Sequence, residues 1–168
     1  GGGDWTPERI VKDILESFYN NKKLVLRNPN STRPWQHVLE PLVGYLLLAE
    51  KLYSKKGYLY NQAWNFGPSL KQNMKVKKLV QIFKRKMNSK SKIIINSKSK
   101  KFHNKNINIF ESKHLNINSK KITNKLKWRP RLSILNSVEL TYEWYAAFKK
   151  KKNLLRLTNN QIKYYLDL

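Results

Sequence analysis

Residues 27–42 read RNPNSTRPWQHVLEPL, and this stretch decides the fold. Two arginines, Arg27 and Arg33, bracket Asn28-Pro29-Asn30-Ser31, a turn by composition. Beyond Trp35 and His37 the sequence VLEPLVGYLLLAEKLY, residues 38–53, predicts a helix. Pro41 falls in its first turn, where a missing N–H costs little. The helix is apolar nearly all round, which is the pattern of a buried element. Lysine, abundant elsewhere in the chain, is almost absent here.

Upstream, TPERIVKDILESFYN (6–20) offers a Thr cap, a proline at the first helical position and a glutamate behind it. Ile10, Val11, Ile14, Leu15 and Phe18 then fall on one helical face. KKLVLR (22–27) predicts a short strand. Downstream, Gly57 breaks the long helix, and AWNFGPS (63–69) reads as a buried strand ending in a Gly-Pro turn. VKKLVQIFKRKM (76–87) is amphipathic, with Val76, Leu79, Val80 and Phe83 inward. KIIINSK (92–98) predicts a strand, residues 97–108 a mobile low-complexity loop, and ESKHLNIN (111–118) another strand. SKKITNKL (119–126) is a short helix with Ser119 as its cap, followed by KWRPR (127–131). LSILNSVELTYEWYAAFKK (132–150) is helical, and TNNQIKYYLDL (158–168) adds one or two helical turns. Alternating helices and strands indicate an α/β arrangement.

The composition excludes several classes of function. There is no cysteine, hence no disulfide and no thiolate metal site. His37, His103 and His114 lack the spacing of a local metal motif. The longest apolar run, VGYLLLA (43–49), is far too short to cross a bilayer, and GGGDWTPERI (1–10) lacks the pattern of a secretory signal. The expectation is a soluble, cytoplasmic protein without membrane contact. Hydrophobic residues make up 40% of the chain, enough to build a core.

The net charge of +25 suggests a polyanionic partner. Between Glu50 and Glu111 there is no acidic residue against sixteen Lys or Arg. Yet aromatic residues thin out where the charge is densest, and a dedicated single-strand binder interleaves the two. We read the lysines as a solvated surface of a compositionally biased chain, with adventitious polyanion binding.

GGGDWTPERIVKD, LRNPNSTRPWQHVLEPLVGYLLLAEKLY, AWNFGPS, and LKWRPR followed by TYEWY stand in this order along the chain. In order and spacing they resemble the C-terminal half of the CDP-glucose 4,6-dehydratases, lyases of the extended short-chain dehydrogenase/reductase family. RPWQHVLEPL resembles this dehydratase rather than sugar-nucleotide epimerases in general. The resemblance runs through nearly the whole chain and is poorest over residues 86–125.

The resemblance implies one α/β substrate-binding portion, residues 1–168, without the N-terminal Rossmann cofactor core. In the full-length family enzyme, NAD takes a hydride from carbon 4 of CDP-glucose, water leaves across carbons 5 and 6, and the hydride returns to carbon 6. The product is a 4-keto-6-deoxy sugar nucleotide of the kind used for O-antigen deoxysugars. NAD would not bind this chain alone, because its six glycines form no Gly-x-x-Gly-x-x-Gly phosphate turn. A Tyr-x-x-x-Lys pair occurs at Tyr19 and Lys23, but it sits where a helix end enters a strand, with no cofactor site to serve. No catalytic residue is therefore assigned. The implied partners are CDP-glucose and a missing N-terminal catalytic half, whose absence would leave an apolar surface prone to self-association.

By the same resemblance, Arg33 contacts the diphosphate, and its rigid fork of donors suits phosphate oxygens. Arg27 stands where relatives place a residue against the base. Arg9 matches a basic residue near the nucleotide phosphates, or is a solvated helix charge. Asn65 matches an asparagine that holds the nucleotide, or stabilises a turn by itself. His37 supports structure, and Trp64, Trp128 and Trp144 read as core. Lys12, Phe110 and Asn118 depart from the family pattern, which has Pro, His and Asp there. Alternatives are a basic polyanion- or nucleic-acid-binding protein, and a non-functional remnant with a degenerate pocket.

Overall fold

A computed structural model describes residues 4–96 and 112–168. The expected loop at 97–108 and the departure at Phe110 lie outside the described residues. Helices and short strands alternate along the chain, so the α/β expectation holds. The chain divides into two compact units, one of Pro34–Asn73 with Asn116–Leu168, the other of Gly3–Arg33 with Met74–Leu115.

The second unit is built on a parallel pair of strands, β1 (Leu24–Leu26) and β4 (Ile93–Ile95), in the register Leu24↔Ile93 to Leu26↔Ile95. β2 (Thr32–Pro34) and β3 (Asn73–Lys75) also pair. Helix α1 (Ile10–Tyr19) packs on β1 and on α3 (Val76–Lys86). Ile14, Leu15 and Phe18 of α1, and Leu79, Val80 and Phe83 of α3, are buried as their helical spacing predicts. Val76 is only partly buried.

The start of α1 differs from expectation. Glu8 takes a left-handed φ of 66°, which ends any helical path from Thr6, and Arg9 becomes the N-cap. The Thr6 amide instead donates to Asp4 Oδ1 at 3.1 Å in a local turn. Lys12 forms an i,i+4 ion pair with Glu16 at 3.1 Å, so this departure from the family pattern has a helical partner of its own. ESKHLNIN forms no strand among its described residues; His114 makes one isolated parallel bridge with Thr32.

The first unit holds α2 (Leu39–Leu52), α4 (Lys120–Leu126), α5 (Ile134–Lys149) and α6 (Leu154–Leu166). One core cluster joins Ile122, Leu126 and Trp128 to Trp64 and Phe66; another joins Leu132, Leu140 and Tyr165 to Leu39 and Val43. Of the three tryptophans read as core, Trp128 is buried and the other two are partly so. α6 runs 13 residues, longer than the expected turn or two. Asn153, upstream of that stretch, caps it by accepting from the Arg156 amide at 2.9 Å.

α2 corrects the expectation of a helix buried all round. Only Glu40 and Gly44 of it are buried, while Leu46 is 71% exposed and Tyr45 54%. Apolar composition alone does not bury a face; something must cover it. AWNFGPS forms no strand either. The Gly67 amide and carbonyl are both taken by the Ser119 hydroxyl, at 2.9 and 3.1 Å, and the Phe66 carbonyl accepts from Gln36 Nε2 at 3.0 Å. Side chains thus satisfy backbone groups that a strand would offer to a neighbour. Ser119, engaged there, makes no side-chain cap for α4; Asn118 Oδ1 accepts from the Lys120 amide at 3.0 Å instead.

Candidate functional site

A cavity of about 610 Å³ lies in the first unit, lined by Gln36, Pro41, Tyr45, Trp64, Asn65, Phe66, Asn116, Ile117 and Asn118. Three pieces of chain form its walls. Pro41 and Tyr45, four residues apart, share one face of α2. Trp64, Asn65 and Phe66 come from the irregular segment that the Gly67–Ser119 bonds hold in place. Asn116 to Asn118 enter from the run leading into α4.

Close approach fixes these walls. A Cβ at Gly44 would run into the Phe66 ring and lie 2.9 Å from Trp128 Nε1, so only glycine lets α2 meet the cavity wall. A Cβ at Gly67 would stand 2.6 Å from Ile117 Cβ. Tyr45 meets Phe66 edge-on with centroids 4.9 Å apart, and Phe66 meets Trp128 edge-on at 5.3 Å. Lys121 Nζ lies 4.6 Å from the Trp64 ring centre and donates to the Ala63 carbonyl at 2.7 Å.

Beneath the cavity Glu40 ties RPWQHVLEPL to KWRPR. Its carboxylate is 1% exposed and accepts from the Arg131 amide at 2.9 Å, the Leu132 amide at 2.6 Å and the Tyr165 hydroxyl at 2.6 Å. The Trp128 indole donates to the Glu40 carbonyl at 3.3 Å. Burial, and the hydrogen bond to Glu40, raise the Tyr165 hydroxyl well above the usual phenol range. Arg131 Nη1 donates to the carbonyls of Tyr165 and Leu166, closing the end of α6. His37 has the supporting contact expected of it: its Nδ1 accepts from the Leu39 amide at 3.3 Å, and burial lowers its pKa to about 4.

Of the residues singled out from sequence, Asn65 lines the cavity. Arg9, Arg27 and Arg33 belong to the second unit. There Arg27 pairs with Glu8 at 3.4 Å, beside Arg9 in the chain, and Arg33 Nη1 donates to the Thr32 carbonyl at 2.8 Å. Gln36, Tyr45 and Asn116 were not singled out. The i,i+4 spacing of Pro41 and Tyr45 was a legible signal; the arrival of Asn116 beside them depends on the path of the chain.

Tyr19 and Lys23 do not share a helical face. α1 ends at Tyr19, and Asn21 turns left-handed with φ 53° before the strand. Nor does the parallel pair present a dinucleotide site: β1 runs into the Asn28–Ser31 turn, closed by a 3.1 Å backbone bond, and not into a glycine-rich helix start. The described residues therefore do not fit a nicotinamide dinucleotide. They include no group of three or more acidic or histidine side chains placed to hold a metal, and no helix long and apolar enough to cross a membrane.

No protein-family model matches the chain. A comparison with curated proteins places it beside a sugar-nucleotide dehydratase, as RPWQHVLEPL and KWRPR suggested. The chain is 31% identical over 167 residues to CDP-glucose 4,6-dehydratase of Salmonella typhimurium strain LT2. The match takes in 99% of this chain and 44% of that protein, so the chain spans less than half of its relative's length. The resemblance read from the sequence is thus shown, and its confinement to part of the enzyme with it.

Proposed function

We propose that this chain is the nucleotide-sugar-binding portion of a CDP-glucose 4,6-dehydratase of the extended short-chain dehydrogenase/reductase type. Its ligand is CDP-glucose, and it works only beside a portion that supplies the NAD turn and the Tyr-Lys pair. The observation that carries this is a similarity running through 99% of the chain, including the segments that build the cavity. In this reading Arg33, Arg27 and Arg9 serve the diphosphate and base, with Asn65 beside them in role. The exposed apolar residues of α2, Leu42, Tyr45 and Leu46, would meet the catalytic portion and, without it, promote self-association.

One observation favours a second reading. On α3, Lys77, Lys78 and Arg85 are exposed and no acidic residue interrupts them, as a polyanion-binding surface would require. Titration calorimetry with CDP-glucose, CDP and UDP-glucose at low and high salt separates the two. The dehydratase reading expects saturable binding that prefers cytidine and weakens about tenfold or more in Arg33→Ala. Binding that ignores the base and fades with salt would replace it with the polyanion surface.

A further inference from the structure

We infer that the tip at the end of α2, KLYSKKGYLY (51–60), is a contact surface for anionic lipid headgroups. The contact is peripheral, since no described helix is long and apolar enough to cross a bilayer. It stands apart from the nucleotide-sugar reading and runs against the sequence expectation of no membrane contact. α2 ends at Leu52, and a short 3-10 turn, Gly57–Tyr60, packs back on it. The turn is tightly fastened. The Gly57 amide donates to the Ser54 carbonyl at 2.8 Å, the Ser54 hydroxyl to the Lys51 carbonyl at 2.7 Å, and Gln62 Nε2 to the Leu59 carbonyl at 2.6 Å. A Cβ at Gly57 would stand 1.9 Å from the Leu52 carbonyl oxygen, so glycine alone permits this close return.

This fastened backbone presents apolar side chains to solvent. Tyr53 is 96% exposed and Tyr58 75%, with Leu52 and Leu59 each about half exposed. A solvated turn needs none of them, and grouped exposed apolar residues mark a contact site. Lys55 and Lys56 stand exposed among them, neither in an ion pair with a described residue, while Lys51 Nζ lies 3.9 Å from Glu50. Tyrosine and leucine suit the headgroup boundary of a bilayer, and lysine stems can lie along it with their charge on lipid phosphates. Charge decides between occupants. A second copy would set the same lysines against themselves. A folded protein partner leaves lysine out of the core of its interface, and a nucleic-acid strand stacks on rings but has no use for Leu52 and Leu59. The net charge of +25 draws the whole chain toward any anionic surface, so the tip's distinct contribution is its apolar insertion.

The test separates insertion from general attraction. The whole chain is sedimented with vesicles of phosphatidylcholine alone, or of phosphatidylcholine with about one-third phosphatidylglycerol, at about 100 and about 500 mM salt. The double variant Tyr53→Ser with Tyr58→Ser keeps every charge and alters exposed positions, and circular dichroism checks that it folds. Because the chain has no cysteine, Ser54→Cys takes one environment-sensitive fluorophore at the tip. We expect binding to the anionic vesicles alone, about tenfold weaker in the double variant, with the fluorophore shifting to the blue as it leaves water. Lys55→Glu with Lys56→Glu should weaken binding about tenfold as well. If the double variant binds anionic vesicles as the parent does, or the fluorophore stays in water, the lysines act only as a general polyanion surface and the inference falls. If the tyrosines matter for a single-stranded oligouridine and not for vesicles, the occupant is nucleic acid. If their loss instead turns a dimer into a monomer by analytical ultracentrifugation and leaves vesicle binding unchanged, the occupant is a second copy. Either result would also overturn the lipid assignment.

Discussion

The hydroxyl of Tyr165 donates to Glu40 Oε2 at 2.6 Å across 125 residues of chain. Glu40 is thereby the point at which α2, the KWRPR segment and α6 are joined, since it also accepts from the Arg131 and Leu132 amides. A carboxylate so deeply buried is tolerated because donors surround it. Glu40→Ala leaves two amides and a phenol without their acceptor and should cost about 3 kcal/mol or more, read as a lower urea midpoint. Tyr165→Phe removes one donor and should cost about 1–3 kcal/mol. Equal, negligible losses in both would show that the junction does not hold the unit together.

Stability should fall toward both ends of the pH scale, for separate reasons. In the unfolded chain His37 takes a proton near pH 6.5, but in the folded chain not until about pH 4. Its contribution is therefore complete above the unfolded value and is lost as pH falls through that window, up to about 3 kcal/mol. His37→Gln should flatten the acid limb of a stability-pH curve. The raised Tyr165 acts in the opposite direction: above about pH 10 the unfolded phenol ionises while the folded one keeps its proton, so stability falls as pH rises. Tyr165→Phe should remove that alkaline slope.

Gly44→Ala tests the close approach of α2 to the cavity wall. Helix propensity alone favours alanine by about 1 kcal/mol. The added Cβ meets Phe66 and Trp128, so we expect a net loss of about 1–3 kcal/mol and a disturbed tryptophan fluorescence spectrum. A stabilised variant would mean that the wall yields.

Ser119→Ala should loosen the segment that carries Trp64, Asn65 and Phe66. The hydroxyl serves both the amide and the carbonyl of Gly67, and its loss should cost about 1–3 kcal/mol. Faster amide exchange at Gly67, with the amides of α6 unchanged, is the expected signature.

The sequence by itself determined the periodic elements. α1 and α3 bury the residues that helical spacing selects, and the two strands flanked by polar turns formed as predicted. It also determined the resemblance, because RPWQHVLEPL and KWRPR are local strings. Glu40 now shows a physical reason for their company: one supplies the carboxylate and the other the amides that occupy it. Tertiary structure decided the rest. Whether α2 is covered depends on what packs against it, and a string of apolar residues carries no record of its neighbours. AWNFGPS has the composition of a strand, yet Ser119, 52 positions from Gly67, takes the backbone groups that a ladder would use. The cavity gathers residues from 36 to 118, and their proximity follows from long-range packing, which no local pattern encodes.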